Sequence, residues 1–346
     1  MKNEIFEIEI GRAFLSCRSF FAYRYPGDTE FHYGISEGYL EGIGTPGFVI
    51  GMFSPYKPII TIPYHHDFLK TQNPLGKLYR MPEKSTTYEE YSREVEGIIA
   101  AIKAWEGKKV VAARVIVEDS AVNVPERFYE LCQRFRDAFV FCFATPATGC
   151  WFGASPELLL EGKNGIIGSM ALAGTRAAST AEPWDDKNKE EQKIVADYIS
   201  DIFHRNGLIS KIGATFTKKA GLVEHICTEI MGIRDEGFGD EVLVMKDEGW
   251  LERLLRDLSP TPALCGYPKD FALNEIRRYE HFDRGCYGGF CGPFQSVDDF
   301  RFNVVIRCAA IAGGTQVTYV GGGITGRSEV AEEWKETEIK YQSIKL

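Results

Sequence analysis

The sequence predicts an α/β protein built on mainly antiparallel sheets, and three observations carry that expectation. Apolar runs with strand periodicity recur along the whole 346-residue chain, and the clearest pair is joined by a tight turn. Amphipathic helical patterns lie between groups of strands and do not alternate with them one for one, as regular βαβ units would. No internal repeat, low-complexity tract or long polar linker interrupts the chain, so residues 1–346 read as one unit with a substantial core.

The elements follow in order. Residues 1–85 read as strand-rich: Phe6, Ile8 and Ile10 alternate, and the runs 48–53 and 59–62 are apolar and bounded by Gly and Pro. Thr86-Thr87-Tyr88-Glu89-Glu90 holds two overlapping capping boxes, and behind it Tyr91, Val95, Ile98, Ile99 and Ile102 keep helical spacing. Residues 109–117 form a β-branched strand, 125–138 a helix and 139–143 a strand. Leu158-Leu159-Leu160, then Asn164-Gly165, then Ile166-Ile167 is a hairpin pattern. A helix over 186–204 puts Ile194, Val195, Tyr198, Ile199 and Ile202 on one face, with Gly207 past its end. Another spans 250–258 and stops at Ser259-Pro260. Strands at 303–311 and 316–320, a glycine-rich turn and a helix over 329–342 complete the chain.

Composition narrows the function. Hydrophobic residues make up 44% and charged residues 26%, the balance of a soluble globular protein. A net charge of −9 argues against broad nucleic-acid binding, which needs a basic face. The nine cysteines are scattered, odd in number and free of any Cys-x-x-Cys pair, which fits reduced thiols and gives no zinc signature. The first residues lack a signal-type apolar region and no apolar run approaches bilayer length. The expectation is a cytoplasmic protein with neither membrane nor nucleic acid as partner.

Several residues could carry chemistry. Gly321-Gly322-Gly323-Ile324-Thr325-Gly326 has the G-x-G-x-x-G spacing, but a dinucleotide site needs a following strand with an acidic residue about twenty positions on. Helical sequence fills the remaining chain, so what survives is an anion cradle of backbone amides near a helix start. In the last helix Glu329, Glu333, Glu336 and Lys340 share a face, either as a solvated stripe with an i,i+4 pair or as carboxylates for Mg²⁺. Glu190 and Glu191 are either helix-start acids favoured by the dipole or ligands. Lys109 shares a strand face with Val111 and Ala113, where it either snorkels or acts, desolvated, as a general base. Spacing leaves these alternatives open.

A series of ordered motifs bears on the choice. It comprises residues 109–114, Phe152-Gly153-Ala154-Ser155-Pro156-Glu157, Leu172-Ala173-Gly174-Thr175-Arg176, Lys187 with Glu191, and Pro260-Thr261-Pro262-Ala263. Glu280, Arg284, Tyr287 and Gly289 follow, then Val305-Ile306-Arg307, Gly321 to Gly323, and Glu333, Glu336, Thr337 and Lys340. In these motifs, over residues 86–345, the chain resembles the chorismate-utilising enzymes: the isochorismate, salicylate, anthranilate and aminodeoxychorismate synthases. The resemblance implies a single large domain like anthranilate synthase component I, with two packed antiparallel sheets, outer helices and a deep site between them. It implies Lys109 as the base that activates water and Glu157 as the acid that protonates the departing C4 hydroxyl. Glu191 and Glu336 resemble the Mg²⁺ ligands, with Glu333 joining directly or through water. Tyr287, Arg307, the Gly321–Gly323 backbone and Lys340 resemble the binders of the enolpyruvyl carboxylate, with Gly174, Thr175 and Ala263 beside the ring.

Within the family, lysine at position 109 marks a water user, since the ammonia users resemble one another in a glutamine there. No glutamine amidotransferase subunit is then expected, and the chain is expected as a monomer or weak homo-oligomer. Ala173 stands where aminodeoxychorismate synthases carry a nucleophilic lysine, and Ala263 where salicylate synthases tend to place threonine. The tryptophan-binding Leu-Leu-Glu-Ser motif of anthranilate synthases is absent from the N-terminal part. The expected activity is that of an isochorismate synthase, with salicylate synthase as the alternative. Chain length and the Tyr287–Pro293 stretch resemble the menaquinone-pathway type. Gln192 and Asn188 depart from the family's histidine and acidic residue, which bears on the surroundings of the metal.

Overall fold

Strand pairing sorts the chain into two wholly antiparallel sheets. The structure, a computed structural model, describes residues 2–64, 79–105, 107–120, 122–180, 182–220, 223–234 and 249–345. Among them, the first third holds helix α1 (Lys2–Leu15), strands β1 (Ser19–Arg24), β2 (His32–Ser36), β3 (Leu40–Glu41), β4 (Gly47–Gly51) and β5 (Ile60–Pro63), helix α2 (Tyr88–Ala104) and strand β6 (Lys109–Asp119). The middle runs α3 (Val124–Arg134), β7 (Phe139–Thr145), β8 (Gly149–Ser155), β9 (Leu158–Lys163), β10 (Ile166–Ala177), α4 (Asp186–Arg205), β11 (Leu208–Ala220) and β12 (Val223–Arg234). The last part runs α5 (Trp250–Leu258), β13 (Gly266–Tyr267), α6 (Lys269–Tyr279), β14 (Phe290–Ser296), β15 (Asp299–Val304), β16 (Cys308–Ala312), β17 (Thr315–Ile324) and α7 (Val330–Ile344). No helix among the described residues is long and apolar enough to cross a membrane.

One sheet has eight strands in the order β13-β6-β17-β16-β8-β7-β1-β2, the other nine in the order β11-β12-β10-β9-β15-β14-β4-β5-β3. Their inner faces share one apolar core: Phe21 of β1 stacks on Phe48 of β4 with ring centroids 5.2 Å apart, and Phe48 meets Phe143 of β7. Helices α1 and α3 cover the other face of the eight-stranded sheet, and α2 and α6 pack on β6. Val195, Ile199, Ile202 and Phe203 of α4 join the main core, and α4 lies against β10, β11 and β12. The α/β class with two packed antiparallel sheets is therefore as expected.

Local signals explain much of this. Thr87 caps α2 and Glu90 reaches back to the Thr87 amide at 3.0 Å, so one of the two overlapping capping boxes is used. Asn164 and Gly165 both take positive φ (52° and 78°), the backbone of the tight hairpin between β9 and β10. Asp185 caps α4, and Gly207 follows its end at φ 75°.

Four expectations need correction. Phe6, Ile8 and Ile10 lie on a helix: Phe6, Ile10 and Ala13 are buried at spacings of four and three, while Ile8 is 52% exposed. The helix over 125–138 ends early, at Arg134, with Phe135 as its cap. The strand expected over 303–311 is two strands in different sheets, because 305–307 cross between them with Arg307 at φ 48°. Gly321 to Gly323 form no turn; they are the end of β17, paired with Ala113, Ala112 and Val111 of β6.

Candidate functional site

Two of the chain's passages between the sheets are short and adjacent, and both deliver side chains to one cavity. Pro156 and Glu157 link β8 of the eight-stranded sheet to β9 of the nine-stranded one, and residues 305–307 link β15 back to β16. The two crossings are tied together: the Val304 amide donates to Glu157 O at 3.0 Å and the Ala154 amide to Arg307 O at 3.1 Å. They border a cavity of about 150 Å³, lined by Glu157 and Arg307 and by residues of both sheets. Lys109 and Gly321 to Gly323 come from β6 and β17, Gly174 and His225 from β10 and β12, Glu191 from α4, and Glu336 and Lys340 from α7. Tyr287, Tyr319, Ala263 and Leu264 also form part of the wall.

Lys109 is 3% exposed, and its Nζ lies 3.5 Å from Glu191 Oε2. The room it occupies exists because residue 323 is glycine: an added Cβ would stand 2.5 Å from Lys109 Cε. A buried arm braces the strand beneath it. The Arg284 guanidinium donates to Val111 O at 2.7 Å and Leu264 O at 2.8 Å, and its ion-pair partner Glu280 accepts from the Ala113 amide at 3.0 Å. These contacts make Glu280 and Arg284 the clamp that holds the Ala263–Leu264 wall against β6.

Glu157 is 3% exposed, and burial pushes its carboxyl up to about 8, against the lowering influence of Lys218 and then Lys109. It is therefore mostly protonated at neutral pH. Arg307 is held by burial at about 10, below the ordinary guanidinium value. Its Nη2 lies 3.3 Å from His225 Nε2, while His225 Nδ1 lies 3.0 Å from Gly174 O. A carbonyl only accepts and a guanidinium only donates, so His225 is neutral with its proton on Nδ1. Burial and then Arg307 lower its pKa to about 3, in keeping with that tautomer. Tyr287 stacks on Tyr319 with centroids 5.5 Å apart, and Tyr319 Oη meets Tyr79 Oη at 2.5 Å.

On α7, Lys340 Nζ bridges Glu336 Oε1 at 2.7 Å and Gly321 O at 2.8 Å. Glu333, one turn earlier, is 3% exposed, and a Cβ on Gly322 would lie 3.2 Å from its Oε2 and 4.0 Å from Glu336 Oε1. Among the described residues no three His, Cys, Asp or Glu side chains converge as a metal cage. Magnesium does not require one, since it is held by one or two carboxylates and completes its shell with water and ligand oxygens. Glu191 and Glu336 suit that mode: both carboxylates line the cavity, each now facing a lysine ammonium.

The cavity thus gathers Lys109, Glu157, Gly174, Glu191, Ala263, Tyr287, Arg307, Gly321, Gly323, Glu336 and Lys340. Glu333 sits behind Gly322, away from the lining. The side chains of Thr175 and Lys187 lie outside the described residues. Asn188 lines the cavity, bonds to Asp185, and would meet a Cβ on Gly174 at 2.8 Å, so glycine at φ 70° is needed there. Gln192 instead ties α4 to β12 through Thr228 Oγ1 at 2.6 Å. Sequence reasoning missed His225 and Tyr319. Each is a single residue on a strand with no spacing signal, and pairing across the sheets alone brings them here.

Residues 64–345 match the profile of a protein family described as chorismate binding enzyme. The chain is 28% identical over 267 residues to the isochorismate synthase MenF of Bacillus subtilis, covering 73% of this chain and 54% of that protein. It is 28% identical over 268 residues to the salicylate biosynthesis isochorismate synthase of Pseudomonas aeruginosa, covering 74% and 54%. The chain spans about half the length of these curated relatives. Among solved structures, MenF of Escherichia coli, a menaquinone-specific isochorismate synthase, superposes with a TM-score of 0.74 at 20% identity over 94% of this chain and 87% of that one. Anthranilate synthase component I of Streptococcus pneumoniae gives a TM-score of 0.66 at 17% identity, over 87% and 76%. At such identities the solved structures speak for the fold.

Proposed function

Because the chain belongs to the chorismate binding enzymes, we propose that it is a magnesium-dependent isochorismate synthase. The observation that carries the reading is a buried Glu157, its carboxyl pushed up by burial, sharing a cavity with Lys109 of the eight-stranded sheet. Conversion of chorismate to isochorismate needs one group to take a proton from water and another to give one to the departing hydroxyl. Lys109 takes the proton as water adds at C2, the ring double bonds shift, and Glu157 protonates the hydroxyl leaving C4, so atoms balance without a co-reactant. Arg307, fixed by His225, and Tyr287 receive the enolpyruvyl carboxylate with the Gly323 amide and Lys340 nearby, and Gly174 lies against the ring.

Bound at Glu191 and Glu336, with Glu333 behind, magnesium would neutralise the carboxylates and bind the ring carboxylate of the substrate. Ala263 offers only a methyl group to the cavity, which favours release of isochorismate over a second step. The reading treats residues 1–346 as one catalytic unit, acting in the cytoplasm on the menaquinone route and without an amidotransferase partner. Lysine at position 109 supports the last point. NMR of the products from chorismate, with and without Mg²⁺ and with Lys109→Ala as control, tests the activity. Isochorismate formed by wild type alone supports it; salicylate with pyruvate would assign the chain to salicylate synthesis.

A further inference from the structure

Lys218 is a lysine on an edge strand that does not behave like one. On β11, which ends the nine-stranded sheet, lysines ordinarily project into water and guard the edge. Lys218 pairs in register with His225 and is only partly exposed. Its Nζ donates to the carbonyl of Pro156 at 3.0 Å and lies 3.4 Å from Met170 Sδ. Both acceptors are neutral, so the ammonium is desolvated against a carbonyl rather than a carboxylate, an arrangement that costs free energy. Pro156 is half of the two-residue link that carries Glu157 between the sheets.

We propose that Lys218 is a positioning residue for the reaction: it clamps the Pro156–Glu157 crossing and tunes how readily Glu157 gives up its proton. The proposal rests on the reading of Glu157 as the general acid. The charged and titratable groups around Glu157 are Lys218 of β11, Lys109 of β6, Cys227 of β12 and Tyr287. Those around Lys218 are Glu157, His225, Cys227 and Glu229 of β12, and Arg301 of β15. The cation favours the ionised carboxyl, so it keeps a deeply buried acid strong enough to transfer its proton to a leaving hydroxyl.

The test compares Lys218→Met, which keeps the apolar stem, with Lys218→Arg, which keeps the charge throughout. Glu157 acts protonated, so turnover falls as pH rises through its pKa, and removing a cation raises that pKa. In Lys218→Met the alkaline limb of the kcat profile should move up by about one pH unit. Turnover at pH 7 should fall several-fold with KM for chorismate nearly unchanged, and Lys218→Arg should restore both. Infrared titration of the protonated carboxyl in substrate-free protein, with Glu157→Gln as blank, should show the same displacement. If Glu157→Gln is inactive and neither midpoint responds to Lys218→Met, the proposal alone is overturned. If Glu157→Gln turns over like wild type, the general-acid reading fails and the proposal falls with it.

Discussion

Replacing Gly323 by alanine should slow turnover by displacing Lys109, the proposed base. Gly323 lies on β17 opposite Val111 of β6, and an added Cβ would stand 2.5 Å from Lys109 Cε and 3.1 Å from Nζ. Comfortable carbon–carbon contact begins near ~3.5 Å, so the lysine must retreat by about 1 Å. Its aliphatic stem is the part that yields, because the backbone around Gly323 is paired on β6 and its φ suits alanine. A misplacement of that size at a reacting group costs about 100-fold in rate, or about 2.7 kcal/mol in the barrier. The assay is kcat for isochorismate formation, with circular dichroism to confirm the fold. Lys109→Ala removes the activity itself, so the coupling is read in stability by urea unfolding: in that background the same alanine should cost little, since the clashing atoms are gone. A Gly323→Ala enzyme with wild-type kcat would refute the placement of Lys109 as base. An equal stability cost with and without the Lys109 side chain would show that the added methyl does not press on Lys109.

Three further outcomes follow from the site. The Glu157 carboxyl, raised to about 8 when folded, stabilises the fold fully below its unfolded pKa, and that contribution is lost as pH rises through 8. Glu157→Gln should therefore gain stability relative to wild type by on the order of a few kcal/mol between about pH 5 and 8, measured by urea unfolding, while losing turnover; a pH-independent difference contradicts the buried acid. Glu336→Gln keeps size but removes the charge a hard cation requires, so magnesium affinity by calorimetry and activity should fall together; unchanged metal binding removes Glu336 from the site. Ala263→Thr places a hydroxyl beside the ring, and a change of about 1.4 kcal/mol between two barriers shifts their ratio tenfold. It should divert a detectable share of product to salicylate and pyruvate, read by salicylate fluorescence and a lactate dehydrogenase couple; no pyruvate from the variant makes Ala263 a marker of product choice and not its cause.

Much of the local structure was legible because the signals act within one turn of chain. The capping box at Thr87 and Glu90, the Asn164-Gly165 hairpin and the α5 span need only neighbours a few residues away. Where two periods fit the same residues, the sequence could not choose. Phe6, Ile8 and Ile10 satisfy a strand over five positions, but the surface of Phe20, Phe128 and Phe31 that receives Phe6 and Ile10 rewards the helical face. The motif series likewise picked out many of the residues that line the cavity, though neither His225 nor Tyr319, because each motif is local and ordered along the chain.

By itself the sequence determined the antiparallel α/β class, the soluble composition and the set of chemically able side chains: Lys109, Glu157, Glu191, Arg307, Glu336 and Lys340. Only the tertiary structure decided what those groups are. Burial at a crossing between two sheets turned Glu157 from an ordinary carboxylate into an acid that keeps its proton to about 8. Strand register across the sheets set His225 beside Arg307, Gly323 against Lys109 and Lys218 under Pro156. The physical reason is range. Helix and turn propensities are settled over a few residues, whereas desolvation and charge pairing depend on partners far along the chain, as between Arg284 and Val111, 173 positions apart.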